Sequence, residues 1–132
     1  RQRQMCIRDR SKHQAEKDGY TDSLMLDHEG NIAEATSANI FFKDINDQLH
    51  TPVPDSFLDG ITRKTVIDLA RSKNIIVNER KISPNELSDF KGCFITGTAA
   101  EITPVGNILD NKFEVCDLIK DLSSSYEMLV GK

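Results

Sequence analysis

The segment EATSANIFF, residues 34–42, constrains the fold of this chain more than any other stretch. A carboxylate leads a run of small residues, and the run ends in an apolar strand. In an extended segment, alternation puts Ile32, Glu34, Ile40 and Phe42 on one face. A carboxylate on an inward-facing apolar surface is costly unless it is paired. Glu34 is therefore either exposed at a strand end or buried opposite something cationic.

The surrounding sequence reads as one domain. At 132 residues, with 38% hydrophobic and 29% charged, the chain can build one core but not two comfortable ones. SKHQAEKD (11–18) is the polar end of a helix. The turn HEGN (28–31) joins SLMLD and NIAEA into a hairpin, and INDQ (45–48) joins ANIFFKD and QLHTP into a second. PVPDSFLDG is a punctuated loop that leads at Gly60 into a helix, ITRKTVIDLARSK, with Val66, Ile67 and Ala70 at helical spacing. IIVNERKI reads as a strand, PNELSDF as a short helix, CFITGT and ITPV as extended segments, and NILDNKFEV as a small hairpin. A terminal helix, DLIKDLSSSYEML, presents Leu118, Leu122, Tyr126 and Leu129 as its apolar stripe. Strands and helices mix without a regular βαβ alternation, which predicts an α+β fold.

Composition removes several function classes. A net charge of −4 argues against nucleic acid as a partner. No apolar run is long enough to span a bilayer and there is no secretory h-region, so no membrane partner is expected. Cys6, Cys93 and Cys116 lie far apart with no CxxC pair, which fits a reducing cytoplasm. His13, His28 and His50 lack metal-ligand spacing, so no metal site is expected.

The first ten residues stand apart. RQRQMCIRDR carries four arginines and one acid, and without it the chain has a net charge of −7. It lacks the serines of a targeting segment and the period of an amphipathic arm, and it resembles translated sequencing-adapter sequence. Residues 1–10 are accordingly expected to be non-native, and 11–132 to be the domain proper.

Two segments could cradle an anion with backbone amides. At DGITRK, a loop enters a helix whose first N–H groups are unpaired, and Thr62 adds a hydroxyl. At TGTAAE (96–101), a strand ends in Gly97 and Thr98 before two alanines, leaving amides unshielded. Taken alone, the first is better read as a helix cap and the second as a tight turn. Together with Glu34 they suggest a ligand with one cationic and one anionic end.

These residues resemble a family signature. Glu34, Thr36, Asn39, Ile40 and Phe41, then LHT (49–51), then LDGITR (58–63), are similar to the pattern of class IV pyridoxal-phosphate aminotransferases, with seven residues between Phe41 and Leu49 and six between Thr51 and Leu58. CFITGTAAEITPV is a second block of that kind, and the resemblance is closest to branched-chain amino-acid aminotransferases. It implies a C-terminal pseudo-barrel domain of mixed β-sheet with flanking helices, as in D-amino-acid aminotransferase-like enzymes. The implied cofactor is pyridoxal 5′-phosphate. Glu34 would pair with its ring nitrogen, Ile61, Thr62 and Thr98 would hold its phosphate, and Thr98 and Ala99 would face the substrate carboxylate. Asn39 would fix a loop, and Ser37 stands where many relatives have glycine. A carboxylate at ~4 Å and an effective dielectric of ~20 contributes roughly 4 kcal/mol, or about three pKa units before desolvation is set against it. That suffices to keep the nitrogen protonated at neutral pH.

The resemblance also implies what this sequence lacks. The family's lysine, which carries the cofactor covalently and moves the proton, would fall just before Arg1, and a ring-contacting tyrosine at about Met5. Lys12 and Lys17 lie on a polar helix face and cannot replace it. The expected role is thus a C-terminal fragment, inactive alone, of a cytoplasmic, homodimeric or larger enzyme that transaminates leucine, isoleucine or valine with 2-oxoglutarate. The alternatives are D-amino-acid aminotransferase or aminodeoxychorismate lyase chemistry on the same fold, or a non-catalytic binding module.

Overall fold

The computed structural model of the chain describes residues 3–8, 22–26, 30–35, 38–53, 61–97, 101–108 and 111–129. The strands are β1 (Arg3–Arg8), β2 (Asp22–Leu26), β3 (Ile32–Ala35), β4 (Asn39–Lys43), β5 (Leu49–Thr51), β6 (Val77–Glu79), β7 (Gly92–Gly97), β8 (Glu101–Ile108) and β9 (Asn111–Lys112). Two α-helices, α1 (Ile61–Ser72) and α2 (Asp117–Leu129), and a 3-10 helix at Pro84–Asp89 complete the described elements.

The strands form one mixed sheet in the order β3-β2-β1-β8-β7-β4-β5-β6, with β9 on β8. β1 is parallel to both its neighbours and β5 is parallel to β6, while the other pairs are antiparallel. β8 joins the two halves of the sheet. Its first part, Glu101–Pro104, pairs with β7, and its second part pairs with β1 from Val105 onward. Pro104 and Gly106 sit at this changeover, where proline and glycine suit a bend. The sheet curls until its ends meet: the Ile32 N–H donates to the Ile82 carbonyl at 2.8 Å, linking β3 to the segment after β6. This closure is the expected pseudo-barrel, and the fold is α+β.

Alternation along the strands separates two cores. Ile40 and Phe42 of β4 join Ile32, Ile82, Leu87, Phe90, Cys93 and Ile95 in a cluster fed from both ends of the curled sheet. Phe42 stacks on Phe90 at 4.8 Å. The opposite face carries Phe41 and Phe94, stacked at 5.0 Å and nearly parallel, beneath Val66, Ile67 and Ala70 of α1 and Ile119, Leu122 and Tyr126 of α2. The face shared by Ile32, Ile40 and Phe42 is the one alternation predicts. The Glu34 side chain lies outside the described residues.

The three hairpins and both α-helices follow the sequence expectation, with two corrections. The strand expected over IIVNERKI shrinks to Val77–Glu79 because its ends are used elsewhere. The Ile75 N–H bonds back to the Ala70 carbonyl and the Ile82 carbonyl closes the sheet. The apolar stripe of α2 runs through Ile119, Leu122 and Tyr126 with Leu118 partly buried against the same cluster, whereas Leu129, expected in the stripe, is 61% exposed. Ile119 is drawn inward over Gly92, where an added Cβ would stand 3.0 Å from Ile119 Cδ1. The helix expected over 11–18 lies outside the described residues. Among the described residues, no helix is long and apolar enough to cross a membrane.

A polar network ties β5 to the segment after β6. Asp44 Oδ2 lies 2.8 Å from His50 Nε2, and Arg80 Nε donates to His50 Nδ1 at 3.1 Å. Arg80 also makes a forked pair with Glu86, whose carboxylate accepts from the Ser83 N–H to complete the capping box of the 3-10 helix.

Candidate functional site

β4 runs antiparallel to β5 and β7, so the start of β4, the end of β5 and the end of β7 share one rim of the sheet. The start of β8 lies there as well. Among the described residues singled out in the sequence, Asn39, Thr51 and Gly97 lie at this rim. Asn39 opens β4 opposite Thr96, and β5 ends at Thr51. Gly97 ends β7 and pairs with Glu101. Glu34 lies in β3 opposite Met25, close in sequence to the start of β4. Thr98 and Ala99, like Thr36, Ser37 and Gly60, lie outside the described residues.

α1 begins at this rim, with Ile61 85% exposed and Thr62 half-buried. Helix starts ordinarily favour acidic side chains, which answer the unpaired amides and the partial positive charge. The 3-10 helix has Glu86 in its first turn and α2 has Asp117. α1 has no acid there and carries Arg63 and Lys64 instead. Its N-terminal amides thus face no carboxylate from their own turn, an arrangement that suits an external anion such as a phosphate.

Arg63 is the residue whose importance the sequence reading missed. It is buried, 1% exposed, and Nη2 donates to the Pro52 carbonyl at 3.1 Å and to Glu79 Oε1 at 2.9 Å. Pro52 directly follows β5 and Glu79 ends β6, so one guanidinium joins two strand ends to the first turn of the helix. The available signal was a cation in a first turn, where charge alone disfavours it. Arg71 Nη2 approaches the other Glu79 oxygen at 3.6 Å. Arg63, Lys64, Ile67, Asp68, Arg71 and Glu79 line a shallow cleft of about 240 Å³ beside α1.

Buried polar groups cluster at the same rim. The fully buried Thr51 donates from Oγ1 to the Ile40 carbonyl at 2.8 Å. Asn39 is 8% exposed, and the buried Thr96 hydroxyl has no hydrogen-bond partner among the described residues.

The described residues offer little covalent chemistry of their own. Lys43 lies 2.8 Å from Asp47 Oδ1. Burial works against its charge, but the Asp47 hydrogen bond and nearby negative groups prevail and hold its pKa above the ordinary lysine value. It is therefore an ammonium at neutral pH, not a nucleophilic amine. Burial pushes the Cys93 thiol well above its ordinary value, which leaves it inert. No group of three or more His, Cys, Asp or Glu among the described residues is placed to hold a metal.

Comparison with known proteins supplies the context for this rim. The family model for amino-transferase class IV matches residues 4–108. A protein of Rickettsia conorii named "Probable branched-chain-amino-acid aminotransferase" is 46% identical over 109 residues, covering 81% of this chain and 37% of the relative. The crystal structure of a branched-chain aminotransferase from Thermoproteus uzoniensis with norvaline superposes with a TM-score of 0.89 at 28% identity, covering 99% of this chain and 52% of that one. The branched-chain amino acid aminotransferase of Thermobaculum terrenum, in its PLP-bound holo form, gives a TM-score of 0.91 at 28% identity with the same coverage. The chain thus spans about half or less of the length of the proteins it matches. On sequence and on fold, it belongs to the class IV aminotransferase family.

Proposed function

We propose that this chain is the cofactor-holding part of a pyridoxal-phosphate-dependent aminotransferase that moves amino groups between branched-chain amino acids and 2-oxo acids. The observation that carries the reading is the start of α1, whose first turn lacks an acid and leaves its amides for an external anion, in a chain 46% identical to a probable branched-chain aminotransferase. When bound, the cofactor supplies an electron sink for the carbanion left when the α-proton of an amino acid is removed. Ile61 and Thr62 hold the phosphate through backbone N–H groups and the Thr62 hydroxyl, assisted by Thr98. Glu34 holds a proton at the ring nitrogen, which raises the capacity of the ring for charge. The amides of Thr98 and Ala99 bind the substrate carboxylate.

We further propose that residues 1–10 are non-native, that the lysine of the family falls just before Arg1 and its ring-contacting tyrosine at about Met5, and that 11–132 is the C-terminal domain. No residue of this chain then performs the proton transfer. The complete enzyme is read as a cytoplasmic homodimer or larger homo-oligomer.

The test pairs the purified chain with an extended version in which native sequence replaces residues 1–10 and continues upstream. Incubated with L-leucine and 2-oxoglutarate, the chain alone forms no glutamate and the extended protein does. Turnover by the chain alone contradicts the assignment of the missing lysine. Preference of the extended protein for D-alanine or aminodeoxychorismate contradicts the branched-chain assignment.

A further inference from the structure

We infer that Arg63 is a positioning residue for the phosphate end of this site, acting through the backbone of the first turn of α1 and not by touching the ligand. The inference rests on reading that turn as the phosphate cradle. The Arg63 backbone belongs to the turn whose amides are offered, while its side chain is 1% exposed and bonded to Pro52 and Glu79. Its acceptors lie on adjacent strands: Thr51 and Glu79 are register partners in the parallel β5–β6 pair, and Pro52 directly follows Thr51. A single guanidinium therefore spans both strand ends and fixes the helix start against the rim.

Two physical features make the role specific. A cation is disfavoured at a helix N-terminus, and a buried guanidinium is tolerated only with good acceptors. Glu79 neutralises it, so the anion-facing side of the turn draws on amides and not on this charge. The guanidinium is a planar fork with several fixed donors, whereas an ammonium is a point donor on a flexible stem. Lysine at position 63 would retain the charge and lose the rigid bridge. An amide cradle works only when held within about 0.5 Å of its productive geometry.

The experiment measures affinity of the full chain for pyridoxamine 5′-phosphate and for pyridoxamine, with amide hydrogen exchange at residues 61–63, in wild type, Arg63→Lys, Arg63→Met, Glu79→Gln and Thr62→Val. Both Arg63 variants are expected to lose about tenfold in affinity for the phosphorylated ligand, at the low end of what losing an orienting partner causes. Affinity for pyridoxamine stays within about twofold, and exchange at 61–63 accelerates. Glu79→Gln, which retains the bond to Pro52, gives a smaller loss in the same direction and carries the test if the Arg63 variants fail to fold. Unchanged affinity for pyridoxamine 5′-phosphate in a folded Arg63 variant, or in Glu79→Gln if that alone folds, overturns the inference. An equal loss for both ligands also overturns it, because it marks a purely structural role. A wild-type chain that does not prefer the phosphorylated ligand, with Thr62→Val indistinguishable from it, refutes the phosphate cradle itself.

Discussion

Arg63 Nη2 donates to Glu79 Oε1 at 2.9 Å, and the two side chains differ widely in exposure, 1% against 38%. Removing either partner therefore has unequal consequences. Glu79→Ala leaves the buried guanidinium without this carboxylate and should destabilise by about 3 kcal/mol. Arg63→Met puts an apolar chain in the buried position and leaves the partly exposed Glu79 to water and Arg71. It loses the bond to Pro52 and should cost about 1–2 kcal/mol. Urea unfolding of both variants checks the order.

Acid should weaken the fold through two carboxylates. Burial alone would raise the Asp44 pKa, but hydrogen bonds from the His50 ring and from the Gln48 and Asn46 N–H groups outweigh it and hold the group below its ordinary value. The Arg80 hydrogen bonds hold Glu86 down against its own burial, with help from the Ser83 N–H. Both groups bind fewer protons folded than unfolded, so their stabilisation is present above the ordinary carboxylate range and is lost as pH falls through the depressed values. The thermal midpoint should be level above about pH 5 and fall below about pH 4. Asp44→Asn with Glu86→Gln should lower the plateau and flatten that fall.

Asn74 ends α1 with φ at 64°, and its N–H and that of Ile75 bond to the carbonyls of Arg71 and Ala70. This is the Schellman pattern, which glycine occupies without strain. Asn74→Gly should be neutral or stabilise by up to about 1 kcal/mol, and Asn74→Val should destabilise by about 1–2 kcal/mol. Thermal melts of the two variants provide the check.

The sequence made the sheet legible where turn chemistry and alternation agree. The hairpins around HEGN and INDQ appear as β2–β3 and β4–β5, and α2 spans the expected Asp117–Leu129. Arg3–Arg8 was not legible as a strand because its place depends on backbone pairing with β2 and β8 and not on its own side-chain pattern. The closure through Ile32 and Ile82 was hidden for the same reason, since the bond uses only main-chain atoms. The start of α1 could be read directly after Gly60, and the end of β7 near Gly97. Arg63 stood out in the sequence only as a first-turn cation closing LDGITR; its role could not be read, because it depends on acceptors that only the parallel pairing of β5 and β6 brings together.

The most direct measurement follows the backbone amide signals of the isotope-labelled chain during titration with pyridoxamine 5′-phosphate. Saturable shifts centred on Ile61, Thr62 and Gly97, and largely absent with pyridoxamine, are the predicted result. Saturable shifts centred elsewhere, for instance along α2, or equal responses to the two ligands, would contradict the account.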